Sequence, residues 1–153
     1  MNEGRIVISG KVTDFDHNPL QDALVEIKND HFKTIYRAQA DDKGEYKIVV
    51  EKGVYLALVA YKDYKIKHLE YWVWNVPAYQ DLRFNPRIGG IEVYAMNAFM
   101  PQGAYPSLLI YFRPMSLKRF NSVGGLGTLK KMDVIDISPH LSKDDIELKI
   151  NGS

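Results

Sequence analysis

The sequence predicts an all-β fold, a layered sandwich of short strands. Three observations carry that expectation. Apolar residues alternate with polar ones in successive short runs, as in Ala23, Val25, Ile27 and again in Tyr46, Ile48, Val50, the period of a strand with one buried face. Clusters of turn formers such as DFDHNPL and DDKG separate the runs. The stretch Gly44–Tyr64 holds two strand-like runs about a short turn at Glu51–Gly53. The first reads as half buried. In the second, Tyr55, Ala57, Val59 and Tyr61 take one face and Val54, Leu56, Leu58 and Ala60 the other, so it reads as buried on both. The pair is expected to form a hairpin, which needs further strands to cover it.

The elements follow in order. Arg5–Thr13 is a strand with Ile6, Ile8 and Val12 on one side, and Gly10 on that face marks a bulge or a close backbone approach. Asp14–Leu20 turns the chain, with Asn18–Pro19 as its strongest signal. Asp22–Asn29 is the next strand, and Asn29–Asp30 leads into Phe32–Gln39. Beyond the central pair, Leu69, Tyr71 and Val73 alternate with Glu70, Trp72 and Trp74 as another strand, which Pro77 ends. Gln80–Gly90 is a long connection. A second β group begins at Ile91, Val93 and Ala95, passes a loop at Phe99–Pro106, and continues through a core strand at Ser107–Arg113. Ser116–Phe120 suits a single helical turn, because Gly124, Gly125 and Gly127 oppose a longer one. Leu129–Ile137 and Ile146–Ile150 read as strands, separated by a polar turn or one brief helical turn at Ser142–Asp145. The expected division is a sandwich over residues 1–68 and a second β-rich module over 69–153, or one enlarged sandwich holding all the strands.

Composition narrows the function classes. The 153 residues carry a formal net charge of +1, so no broad field draws nucleic acid or an anionic membrane. The absence of cysteine removes disulfides and thiolate chemistry. No run is long and apolar enough to span a bilayer as a helix. The first residues lack a basic region followed by a hydrophobic segment. A cytoplasmic protein and an excised segment of an extracellular or cell-surface protein are both consistent with such a start.

A family resemblance rests on Gly10, Val12, Asp14, Asn18, Pro19, Leu20, Ala23, Val25, Asp42, Gly44, Tyr46, Gly53, Tyr55 and Tyr64. Over about residues 6–64 the order of turns and strands resembles the carboxypeptidase regulatory-like family of transthyretin-like Greek-key sandwiches. Two features depart from that pattern. Glycine is not prominent after the proline turn, and the usual final Gly-Tyr stands here as Asp63–Tyr64. The resemblance implies a noncatalytic module attached to a secreted or surface protein, and it transfers no catalytic residue.

The side chains that carry chemistry agree with a binding or structural role. His17, His31, His68 and His140 are scattered without metal-ligand spacing. The pairs Asp14/Asp16 and Asp41/Asp42 could serve calcium, but such pairs also serve ordinary turns. No serine lies in a nucleophile elbow. Glu70 with Glu92, and Asp133 with Asp136, are acid pairs of unknown separation, to which no hydrolytic role can be assigned. The basic residues at Lys62–Lys67 and Lys118–Lys131 read as solvated faces. The strongest signal is Trp72 and Trp74, two apart on a strand and therefore on one face. A planar aromatic face there would stack on a sugar ring, with Glu70, Asn75 or Arg113 reading hydroxyls and Tyr94 and Tyr111 as neighbours. The same rings could instead cover a sheet or fill a seam. The expected partners are a glycan, a protein or an adjacent domain. The sequence calls for no cofactor, metal, nucleic acid or membrane insertion.

Overall fold

In the computed structural model, residues 4–125, 127 and 134–148 are described. Strands β1 (Arg5–Lys11), β2 (Leu24–Lys28), β3 (Thr34–Gln39), β4 (Glu45–Glu51), β5 (Gly53–Tyr61), β6 (Tyr71–Ala78) and β7 (Leu82–Arg83) form two sheets. One runs β4-β1-β7 and the other β3-β2-β5-β6. Their inner faces bury Ile6, Ile8, Val25, Ile27, Ile48, Val50, Leu58, Ala60, Val76 and Ile88 in one core. The fold is therefore an all-β sandwich. A third, two-stranded ribbon pairs β8 (Ile91–Phe99) with β9 (Leu109–Ser116).

Glu51–Gly53 joins the two sheets rather than the two arms of a hairpin. β4 pairs with β1 from Arg5↔Glu51 to Lys11↔Glu45, whereas β5 lies between β2 and β6. Each strand has a face to bury, and placing them in opposite layers buries both against one another. The burial expected of β4 is present, and that expected of β5 holds for its second half only, since Val54 is exposed. β4 alternates strictly between exposed and buried, and Ala57–Ala60 of β5 are buried on both faces. The expected alternation of β5 slips once. Tyr55 packs on the same core as Leu58 and Ala60. The break lies near Asn75 on the neighbouring strand, whose φ of 54° is left-handed.

Gly10 marks a close approach. A Cβ there would lie 1.6 Å from the Phe84 carbonyl oxygen. That contact lets the chain after β7 cross β1, whose Ser9 oxygen accepts from Phe84 N at 3.0 Å. β7 itself runs parallel to β1 inside the segment expected to be a plain connection. Pro77 does not end β6. It pairs with Val54 within the strand, where a missing N–H is tolerated because β6 is the last strand of its sheet. Strands on both sides of residue 68 thus share sheets.

Ser116 caps the short helix α1 (Leu117–Ser122), its side chain accepting from Arg119 N. Leu117 and Phe120 pack with Leu69 in a small second cluster. A 3-10 turn occupies Lys143–Asp145. Neither late strand expectation holds among the described residues. Val134–Ile137 and Ile146–Leu148 are irregular, and Ser116 N→Ile137 O is the backbone bond that ties the first of them. Each segment alternates in sequence, but among the described residues neither forms a strand, and the first meets β9 through that bond to its last residue, Ser116. Leu129–Asp133 and Lys149–Ser153, with Asp133, Lys130 and Lys131, lie outside the described residues.

Candidate functional site

β6 is the edge strand of the four-stranded sheet, and its alternation places Trp72 and Trp74 on the outer face. Their cross-strand partners on β5 are Val59 and Ala57, both buried although they face away from the core. The indoles therefore serve as a lid on the outside of the sheet. The two rings stack on each other, with centroids 4.9 Å apart and planes 11° from parallel. Phe32 meets Trp74 edge-on at 6.1 Å, and Tyr94 meets Trp72 at 6.3 Å. The result is a row of four rings rather than the open planar platform expected from the sequence. The inner indole faces are spent on one another, and what remains for a ligand is the ridge and its ends. Trp74 is 38% exposed and Trp72 half-buried.

Beside this row runs a cleft of about 380 Å³ between β6 and β8, lined by Glu70, Trp72, Trp74, Arg87, Glu92 and Val93 among others. Several of its polar groups are already tied. Trp72 Nε1–H donates to Glu70 Oε2 at 3.1 Å, and the Glu70 backbone N–H donates to Glu92 Oε2 at 3.1 Å. Arg87 Nη2 donates to the Phe15 carbonyl at one end. Glu92 is 4% exposed, and its Oε1 has no hydrogen-bond partner among the described residues. Burial pushes the Glu92 carboxyl up to about 7, and the nearby Glu70 carboxylate adds to the rise against the pull of the Glu70 N–H. Burial also raises Glu70, against the Trp72 N–H. Glu70 and Glu92 do come together, as one possibility in the sequence had it. They are joined by that backbone N–H bond where β8 meets the start of β6.

On the same outer face lies a second buried acid. Glu26, 2% exposed, accepts from Arg37 Nε at 2.8 Å, Thr34 Oγ1 at 2.9 Å, Tyr61 Oη at 3.0 Å and Lys28 Nζ. Burial works to raise its carboxyl, yet these four donors hold it at about 2.

Of the residues expected at the site, Trp72, Trp74, Glu70 and Tyr94 are brought together. Asn75 instead occupies the left-handed position next to Trp74, outside the cleft lining. Arg113 is the cross-strand partner of Tyr94, and Tyr111 that of Asn97 on the ribbon. Both are exposed and neither lines the cleft. Residues not expected there are Phe32, Phe15 and Arg87. They arrive from the β2–β3 turn, the Asp14–Leu20 turn and the segment after β7, so no local pattern ties them to the tryptophans. The Asp turns hold no ion-shaped cluster. Asp14 accepts from the N–H groups of Asp16 and Asn18, and Asp41 from those of Lys43 and Glu45. Among the described residues no three histidine or acidic groups gather as metal ligands. No described helix is long and apolar enough to cross a membrane.

No protein-family model and no curated protein sequence matches the chain. Among solved structures it is similar to a chain of a type II cohesin–X-dockerin complex from Acetivibrio cellulolyticus, at 19% identity and a TM-score of 0.44, covering 56% of this chain and 58% of that one. It is also similar to a DUF3823 family protein from Parabacteroides merdae, at 12% identity and 0.42, covering 74% and 59%. A third is the Bacillus anthracis TIE protein, at 14% identity and 0.44, covering 74% and 27%. The chain thus spans under three-fifths of the first of these proteins. Likeness at these scores carries no functional argument.

Proposed function

We propose that the chain is a noncatalytic β-sandwich accessory module of the carboxypeptidase regulatory-like type, and that it presents the cleft beside Trp72 and Trp74 to a glycan. The open cleft bordered by a half-exposed indole is the observation that carries this reading. A sugar would lie along the ridge, with its apolar face against the Trp74 end and its hydroxyls toward Glu70 and Arg87. The acids support binding rather than turnover, since each already holds a neighbour's N–H. Glycan-array binding by the full chain tests the proposal. A saturable signal that Trp74→Ala abolishes, with the near-ultraviolet circular dichroism of the sandwich retained, is the expected result. Absence of any signal across the array overturns the glycan.

A second reading has its own support. The β8–β9 ribbon exposes Met96, Phe99, Met100, Leu109 and Tyr111, and apolar side chains exposed together mark interaction sites. That surface suits a protein partner or an adjacent domain, with the sandwich acting as a spacer. We also place the boundary between the two units near Gly89–Gly90, after the last residue of the sandwich core, in place of residue 68.

A further inference from the structure

The sandwich meets the rest of the chain at a narrow seam. Leu69 N donates to Gly89 O at 2.7 Å and Leu117 N to Gly90 O at 2.9 Å. Glu92, the second residue of β8, reaches across to accept from the first polar backbone group ahead of β6, Glu70 N. Its side chain thus ties the ribbon to the backbone of the sandwich. The Glu92 carboxyl also stands between two spaces. The cleft lies on one side, and on the other is an apolar cavity of about 230 Å³ beneath α1, lined by Leu69, Met115, Phe120 and Ile137 among others.

We propose that this seam is a proton-operated joint: neutral Glu92 keeps the ribbon seated against β6, and loss of its proton loosens the ribbon and widens the cleft. The reasons are geometric. Oε2 is satisfied by Glu70 N–H, but Oε1 is shut away from water without a donor. An ionised carboxylate in that position is costly unless a cation or further donors reach it. The groups that face it supply little. From the start of β6 come the Glu70 carboxyl, which repels it, and the Trp72 N–H, which already donates to Glu70. From the segment before β6 come Tyr64 and Lys65, and the Lys65 ammonium sits over the Tyr64 ring, 5.0 Å from its centroid. β8 adds the Tyr94 hydroxyl, which with the Trp72 N–H favours the ionised form, though by less than burial opposes it. Ser116 at the head of α1 lines the cavity, but its side chain caps the helix. Arg87, at the far end of the cleft, is bound to Phe15. A small displacement of the ribbon would let water from either space reach the carboxylate, so opening relieves the charge directly.

Amide hydrogen exchange on the full chain tests the joint with no ligand present. Protection at Leu69 and Glu70 is compared with that at Ile8 and Ile48 in the sandwich, from about pH 5.5 to about pH 8.5. The ratio removes the intrinsic pH dependence of exchange. In the wild type, relative protection at the seam falls about tenfold or more over that range. In Glu92→Gln it stays at its low-pH value throughout. Constant relative protection in the wild type, or the same fall in Glu92→Gln, overturns the proposal. A carbon-detected titration of the wild-type Glu92 carboxyl decides the matter even if that variant does not fold. A midpoint in the ordinary glutamate range, near about 4.3, overturns it.

Discussion

Two buried glutamates on one protein are held in opposite directions, and their surroundings explain why. Glu26 has four donors around it, two of them cationic, while Glu92 has only neutral donors, the Glu70 backbone N–H with weaker pulls from Tyr94 and Trp72, and an acid beside it. The stability they confer must therefore have opposite pH slopes. The folded Glu26 carboxyl lies below its unfolded value of 4.5, so its contribution is complete above 4.5 and is lost as pH falls toward about 2. The folded Glu92 carboxyl lies above its unfolded value, so it binds its proton more tightly when folded. Stability falls as pH rises from 4.5 to about 7 and stays reduced above that. Urea midpoints of single variants separate the two. Glu26→Ala strands Lys28 over a buried site and should cost about 2–4 kcal/mol at pH 7. Arg37 is largely exposed and hydrated, which favours the lower end. Glu92→Gln should leave stability near pH 5 little changed and raise it at pH 8, by at most about 3 kcal/mol. A Glu92→Gln variant that loses stability at pH 8 would mean that its surroundings favour the charge after all. Neither assignment was legible in the sequence. Glu26 sits at the solvent-facing phase of a clean alternation, and the groups that enclose it, among them Thr34, Arg37 and Tyr61, come from neighbouring strands far along the chain.

At the scale of the element, β6 shows what a period of two can and cannot say. The spacing of Trp72 and Trp74 fixed their common face, and that much holds. It could not say that the rings would stand against each other, because that depends on the small Ala57 and Val59 beneath them and on Phe32 and Tyr94 at the two ends. Both rings cover β5, but Trp72 is half-buried whereas Trp74 is 38% exposed. Trp72→Ala should accordingly cost about 3 kcal/mol or more, since it uncovers Val59 and frees the Glu70 carboxyl. Trp74→Ala should cost about 1–2 kcal/mol, because its ring is already partly in water. Equal losses in urea unfolding would mean that the row does not act as a cover for β5. β1 offers the converse case, where one residue type spoke plainly. Gly10 interrupts an apolar face because the chain at Phe84 lies where a Cβ would be. Gly10→Ala must displace that crossing and should cost about 3 kcal/mol or more, a large value for the addition of one methyl group.

At the scale of the whole molecule, the division we propose lies where the sandwich core ends, and local alternation could not mark that point. β1 to β6 were legible because each has an apolar face and turn formers at its ends. The pairing was not, since partners lie far apart in sequence and β4 and β5 part into separate layers despite the short link between them. β7 is only two residues long, too short for any alternation, and it is recruited by the edge of β1. The expected boundary after residue 68 followed from the end of the family-like pattern at Tyr64. The sandwich core, by contrast, includes Val76, Ala78 and Ile88. Two truncations distinguish these positions. A fragment of residues 1–90 retains both sheets and every residue of that core, so it should unfold cooperatively in urea with dispersed amide resonances. A fragment of residues 1–68 loses β6 and β7. It strips Ala57 and Val59 of their cover and leaves β5 and β1 each with an open edge. It also removes three buried residues from the core, a deficit of several kcal/mol against the stability typical of a small domain. That fragment should show no cooperative transition. If it folded as well as the longer one, β6 would be an addition to the sandwich rather than its fourth wall, and the aromatic row it carries would belong to the ribbon.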